Sequence, residues 1–487
     1  MHRRFRRTGL FLVVLLATSN LRAEDWSRFR GPNGSGISKD TGFPTEFSPN
    51  KNVIWKSSVR LGKSSPVLTE KHLFLTGHAD DKLYTQCFDR QTGKLLWERS
   101  IDRQRKPLIH KLNEPAAITP VTDGVNVYVF FHDFGLLSYD GSGKLRWQRP
   151  LGPFTNAIGL SSSPILVDGR LILQVDQYVD AYIAAFSPDT GETLWKTSRA
   201  ESKGWSTPVI YRPEGKGGGA QILTASDRLF GAYQLKTGKR TFTVDTLASA
   251  IVASPVVAGD MFYAFGYNNE DRPRPFEEQL SKFDKDGDGK VSALETNDDA
   301  WMNGLTRFAG NRDGMLTREE WDDAMKERAG PSSLVAFRLE VEAGGETVRA
   351  SELWRDEKSF MGVIPSPLVY QNVLYYIKNG GILAAVDAIA GKTLKQSRVQ
   401  GALDPFSASP VAAEGRIYVA SESGKIAVIK PGADWEVITV NDLKEDTFAT
   451  PVLSKGKIFL RTNESLYCFG SDAKGQFSSR RAAREPR

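Results

Sequence analysis

The chain is predicted to be all-β: an eight-bladed β-propeller of four-stranded blades, with a small α-helical EF-hand insertion in blade five. Two observations carry the prediction. A unit of roughly forty-five residues, opening on a small residue and proline, returns eight times, and self-similarity at such a period marks a repeat architecture. Its prolines are Pro66, Pro120, Pro164, Pro208, Pro255, Pro367, Pro410 and Pro451, separated by 54, 44, 44, 47, 112, 43 and 41 residues. The second observation is the one interval badly out of step, between Pro255 and Pro367, which carries an acidic motif. The length of 487 residues would alone suggest about three domains, but units that add radially build one ring.

Each unit reads as a blade. In SSPILVDGRLILQV, proline stands at the first residue of a strand, where its missing N–H does least harm, and Asp-Gly turns the chain into a second apolar strand. A third strand and a glycine hairpin follow, as in CFDRQTGKLLW, SYDGSGKLRW and AFSPDTGETLW. An aromatic lies four residues after the glycine: Trp97, Trp147, Trp195 and, in the fourth unit, Phe242. An aromatic repeated at one blade position is core material. The last unit lacks its own final strand, which the early segment Asn52 to Ser57 supplies, joining the two ends of the chain and closing the ring.

The first residues pair five arginines with an apolar run, Gly9 to Ala17, too short to span a bilayer. They read as a bacterial-type export signal cut after Ala23, of general secretory rather than twin-arginine type, so the mature protein is expected in the periplasm or secreted. Loss of those arginines brings the formal charge from +6 to +1. Arg480, Arg481, Arg484 and Arg487 fall in a polar tail expected to be disordered, so nucleic-acid binding by the ring is unsupported. No segment of the mature chain is expected to cross a membrane. Cys87 and Cys468 occupy equivalent positions in their repeats, point the same way around a ring, and are read as two buried free thiols. The expected organisation is a signal peptide over 1–23, blades one to five over 24–267, an EF-hand pair over 268–333, the remaining blades over 334–470, and a basic tail over 471–487.

Within the insertion, FDKDGDGKVSALE places Asp284, Asp286 and Asp288 at loop positions one, three and five, and Gly289 at the bend. Lys290 offers its carbonyl at seven, Ser292 stands at nine and Glu295 closes at twelve. That is a calcium loop, because a hard cation taking six to eight oxygens needs carboxylates at these offsets around a glycine bend. A second loop, Ala309 to Glu320, has Asn311, Asp313, Met315, Thr317 and Glu320 at the matching positions. Alanine at its first position removes a carboxylate, and the loop reads as a weaker, structural partner. Phe276, Leu280, Phe283, Trp301, Leu305, Phe308, Trp321 and Met325 recur at helical steps and are expected to form the shared core of the pair.

The turn DxxTGKxLW, together with the small-Pro-Val element, resembles the pyrroloquinoline-quinone-type repeat, and WSRFRGPNGSGIS resembles the opening of exported bacterial proteins that carry it. The resemblance covers nearly the whole mature chain outside the insertion. It implies a propeller shared by quinone-dependent dehydrogenases and by a non-enzymatic outer-membrane assembly lipoprotein, whose anchoring cysteine this chain lacks. A dehydrogenase of that kind would need a metal held against the quinone, an aspartate base and a stacking aromatic. The vicinal cysteine pair and CxxCH haem site of many such enzymes are absent.

Loops between second and third strands, and loops between blades, leave the same face of such a ring. They are expected to gather His78, Asp80, Asp81, His110, Asn113, Glu114, His132 and Asp133 around a mouth, with Asn156, Asp176, Lys203, Trp205, Lys378, Asn379 and Asp404. The insertion, replacing a second-to-third-strand loop, is expected beside it. No HExxH, GxSxG or GxxxxGK[ST] motif is present. The leading reading is therefore an exported calcium-binding scaffold for an envelope protein or other ligand, with no catalytic residue assigned. The alternative is a quinone-dependent alcohol or sugar dehydrogenase with its cofactor at the mouth.

Overall fold

Eight four-stranded antiparallel sheets stand around one axis in the computed structural model. The structure describes residues 26–471, apart from 108, 111, 157, 201–202, 214–218, 246–250, 267–274, 329–331, 343–346 and 358–363. The expected signal peptide, most of the basic tail and both ends of the insertion lie outside the described residues. In blade one, Val67–Leu68 pairs with His72–Ala79, which pairs with Lys82–Asp89, which pairs with Leu95–Asp102. Blades two to seven keep this order, and first strands of adjacent blades neighbour one another at the centre. Blade eight takes its outer strand, Val53–Ser58, from the start of the chain, where it pairs with Ser465–Phe469.

Two repeating contacts join the blades. The residue before each repeat proline is serine or threonine, and its backbone N–H donates to the hydroxyl of the equivalent residue in the next blade. Ser65 donates to Thr119, Thr119 to Ser163, Ser163 to Thr207, and so on through Ser254, Ser366, Ser409 and Thr450 at 2.8 to 3.2 Å. Thr450 donates back to Ser65 at 3.0 Å, so the ladder is a closed circle. Buried N–H groups that no sheet partner can reach are thereby satisfied.

The other contact explains the glycine-tryptophan spacing. The indole of one blade lies over the hairpin glycine of the next: Trp55 on Gly93, Trp97 on Gly143, Trp147 on Gly191, Trp195 on Gly238 and Trp354 on Gly391. Each indole N–H donates to a carbonyl of that same hairpin, Trp97 to Gly141 at 2.9 Å and Trp147 to Pro188 at 2.9 Å. Cys87 and Cys468 are both buried free thiols at equivalent positions, and burial pushes each up to about 12.

Residues 26–37, read from sequence only as a resemblance, cross one end of the central channel. Trp26 and Ser27 accept from Leu68 and Thr122 of blades one and two, Asn33 exchanges two hydrogen bonds with Ile210 of blade four, and Ile37 bridges Ala412 of blade seven. No helix among the described residues is long and apolar enough to cross a membrane.

Candidate metal loop and channel mouth

The insertion leaves blade five after Met261–Gly266 and returns at Ser333–Val341, between second and third strands as expected. It contains three helices: α1, Phe276–Phe283; α2, Ala300–Phe308; and α3, Arg318–Arg328. The Asp299 side chain caps α2 by accepting from Met302 N–H at 3.0 Å. A short antiparallel pair, Val291–Ser292 with Met315–Leu316, ties the two loops together. The segment 293–298 after the first loop forms turns where a full exiting helix would stand.

Asp284, Asp286 and Glu295 each bring a carboxylate oxygen within 4.8 Å of the others. The bend makes this possible: Gly289 has φ +78°, and its N–H and that of Gly287 donate to Asp284 at 3.0 and 2.7 Å. Glu295 closes the loop by accepting from Lys285 and Ser292, both at 2.7 Å. Against desolvation, which would raise it, these backbone bonds hold the Glu295 carboxyl below its ordinary value. Asp288 turns an oxygen to Lys290 N–H at 2.8 Å and stands outside the three-carboxylate group. In the second loop Glu320 likewise accepts from Asn311 and Thr317, and Asp313 from Met315.

Most of the expected insertion core is buried: Phe276, Phe283, Leu305, Trp321 and Met325, with Met302 and Leu316 added. Phe308 is the exception. It leaves that core and stacks on Tyr178 of blade three, with ring centroids 4.8 Å apart and planes at 13°. Tyr178 sits in the loop between the second and third strands of its blade, so the insertion reaches across the mouth face from blade five to blade three.

The mouth residues divide. His78 and Glu114 meet at 3.7 Å between blades one and two, and Arg103 holds Asp133 at 2.5 Å beside them. His132 Nδ1 accepts from Leu160 N–H at 3.4 Å. His78 Nε2, Glu114 Oε1, His132 Nε2 and Asp133 Oδ1 are all buried without a hydrogen-bond partner among the described residues. Desolvation raises the Asp133 carboxyl above its ordinary value although Arg103 opposes it, and desolvation with Arg105 and Arg103 pushes His132 down to about 4. Burial lowers the Arg461 guanidinium of blade eight to about 10, with Glu114 opposing.

Other expected mouth groups do structural work. Asp176 is sealed in a fully buried pair with Arg199 at 2.7 Å. Asn113, Asn379 and Trp205 bond neighbouring backbone, and Asp404 accepts from Ser421 and Ser423. Tyr178, Arg103 and Arg461 were not visible as mouth residues in the sequence. Nothing local marks them, because their roles come from blades that meet only after closure.

Residues 46–178 and 179–478 match a single family model, that of the outer membrane protein assembly factor BamB. The chain belongs to this BamB family. Among curated relatives, BamB of Salmonella typhimurium is 31% identical over 25% of this chain and 29% of its own length. BamB of Yersinia pestis is 27% identical over 35% of this chain and 39% of its own length. The quinoprotein alcohol dehydrogenase PedH of Pseudomonas putida is 27% identical over 35% of this chain and 30% of its own length. The matches thus span only about a third of those relatives. Among solved structures, BamB from Moraxella catarrhalis has a TM-score of 0.50 at 11% identity, covering 86% of this chain and 98% of that one. The quinohemoprotein alcohol dehydrogenase ADHIIG from Pseudomonas putida HK5 has a TM-score of 0.52 at 11% identity, covering 96% and 82%. Both likenesses establish the propeller. The relatives of this BamB-family member include both assembly factors and a dehydrogenase.

Proposed function

We propose that this protein is an exported calcium-holding propeller that acts in the bacterial envelope as a binding or scaffold module, with its mouth face as the docking surface. The observation that carries the reading is the Phe308–Tyr178 stack. It packs the insertion that carries Asp284, Asp286 and Glu295 onto blade three of the mouth face, which supports reading that face as the docking surface. Calcium would take Asp284, Asp286, Asp288, Glu295, the Ser292 position and the Lys290 carbonyl, consistent with oxygen-only ligation. An extracellular-type loop of this kind is expected to fill at about 10⁻⁵ to 10⁻³ M. Membership of the BamB family supports the scaffold role.

Photo-crosslinkers placed at Lys106, on the mouth, and at Val125, on the opposite face, test it in intact cells. Adducts with an envelope protein from Lys106 alone, weakened by Glu295→Gln, are expected. Equal adducts from both faces, or none from the mouth, would sink the reading.

The dehydrogenase alternative draws on the PedH match. It predicts that the calcium-saturated protein retains pyrroloquinoline quinone stoichiometrically through gel filtration. Retention of that kind would displace the scaffold reading.

A further inference from the structure

At the far end of the channel from the mouth, the segment 26–37 inserts two arginines into the centre of the ring. Arg28 is 7% exposed and Arg30 is fully buried. Each is fixed at one point: Arg28 Nη2 donates to the Pro208 carbonyl of blade four at 2.7 Å, and Arg30 Nη2 to the Pro367 carbonyl of blade six at 2.5 Å. These carbonyls lie one residue after the hydroxyl ladder, so the guanidiniums reach up to the level of that circle.

Most of the remaining local donors have nothing to bond among the described residues. Arg28 Nε, Arg30 Nε, Arg30 Nη1 and Trp26 Nε1 are buried without a hydrogen-bond partner among the described residues. All four are donors. Neither arginine has an ion pair among the described residues, whereas buried Arg199 holds Asp176 and buried Arg461 spends both terminal nitrogens on Ser64 and Arg60. Burial lowers both guanidiniums to about 9, and for Arg30 the charge of Arg28 adds to the effect, so both stay charged at neutral pH and repel each other. Two buried like charges without a counter-charge are costly, and a fold that keeps them needs compensation. Water would satisfy the N–H groups and leave the charge. An oxyanion does both, and guanidinium N–H groups suit it geometrically. A segment required only to seal the channel would do so with apolar side chains.

We infer that Arg28 and Arg30 form a binding site for a small oxyanion, of phosphate or carboxylate chemistry, in the central channel. The site is separate from the metal loop and independent of the scaffold reading.

The test is thermal unfolding of the whole mature protein at pH 7.5 and constant ionic strength, with chloride replaced stepwise by phosphate, sulfate or acetate. A ligand that binds only the folded state raises Tm with concentration. Phosphate and sulfate also stabilise proteins generally by exclusion from their surface, so the decisive comparison is Arg30→Gln with Arg212→Gln, a surface arginine paired with Asp168. The expected result is a response kept in Arg212→Gln and weakened about tenfold or more in apparent affinity in Arg30→Gln, since hydrogen bonds to charged groups are lost. If phosphate and sulfate act while acetate does not, the ligand is phosphate-like; the reverse marks a carboxylate. A response that survives in Arg30→Gln, or equal Tm in chloride and every oxyanion, overturns the site. Should Arg30→Gln fail to fold, wild-type crystals grown in selenate give the same decision. An anomalous peak between Arg28 and Arg30 supports the site, and water alone against both Nε atoms overturns it.

Discussion

His132 shows how a residue can be visible in a sequence while its chemistry is hidden. Its ring is buried between Leu160 N–H and Phe154, and two arginines stand nearby, so protonation is resisted by desolvation first and by like charge second. Its pKa is about 4 in the folded chain against an ordinary value of 6.5. Between those values the unfolded chain binds a proton that the folded chain refuses, so this residue makes stability fall as pH drops from 6.5 toward 4. A depression of that size corresponds to about 3 kcal/mol once pH is below both values. Urea unfolding at pH 7 and pH 4.5 should therefore show a smaller loss for His132→Gln than for the parent protein; identical losses would mean that His132 is not held neutral. The sequence displayed His132-Asp133 as a pair. It could not show Arg103 and Arg105 closing on that pair from the preceding inter-blade loop, because the contact exists only when blades one and two stand side by side.

The blade hairpin was the most legible element, and its spacing has a mechanical reason. Gly143 needs φ +83°, and a methyl group there would lie 2.6 Å from the Trp97 ring of the preceding blade. Backbone conformation and close approach both exclude a side chain. Gly143→Ala is expected to destabilise by about 2 to 4 kcal/mol, combining left-handed strain with a displaced indole. Gly169, at φ +67° with nothing within 4 Å, supplies the comparison, and its alanine variant should cost about 1 kcal/mol from strain alone. Equal losses in chemical denaturation would show that indole packing adds nothing. The hydroxyl ladder was half legible. Small residues before the prolines were evident, but their common hydroxyl becomes meaningful only when the eight are placed in a circle. The acidic loop of the insertion is legible because its residues are local: the bend at Gly289 brings Asp284, Asp286 and Glu295 together. Phe308 fits the helical core pattern yet stacks on Tyr178 instead, since periodicity records which face is apolar and says nothing about which neighbour covers it.

The whole ring depends on contacts that join the beginning and end of the chain. Val53–Ser58 completes blade eight, and Trp55 covers Gly93 of blade one. Arg461 bonds the Ser64 hydroxyl and carbonyl and the Arg60 carbonyl, and the Thr450–Ser65 bond closes the ladder. Without this segment, Ser465–Phe469 becomes an open edge, and an unpaired edge is a template for another chain. A chain beginning at Lys63 should therefore form oligomers through blade eight and lose its single cooperative transition, as measured by light scattering and thermal unfolding. Adding a peptide of residues 46–62 should restore the monomer, because it returns both the strand and Trp55 in their own geometry. The expectation is tied to position: a peptide carrying Trp55→Ala should pair with the edge yet restore less stability, by about 3 to 5 kcal/mol for a large aromatic lost from a packed site. If the shortened chain is instead a monomer with unchanged Tm, closure by the first strand contributes little, and the ring must be held by its seven remaining blade interfaces.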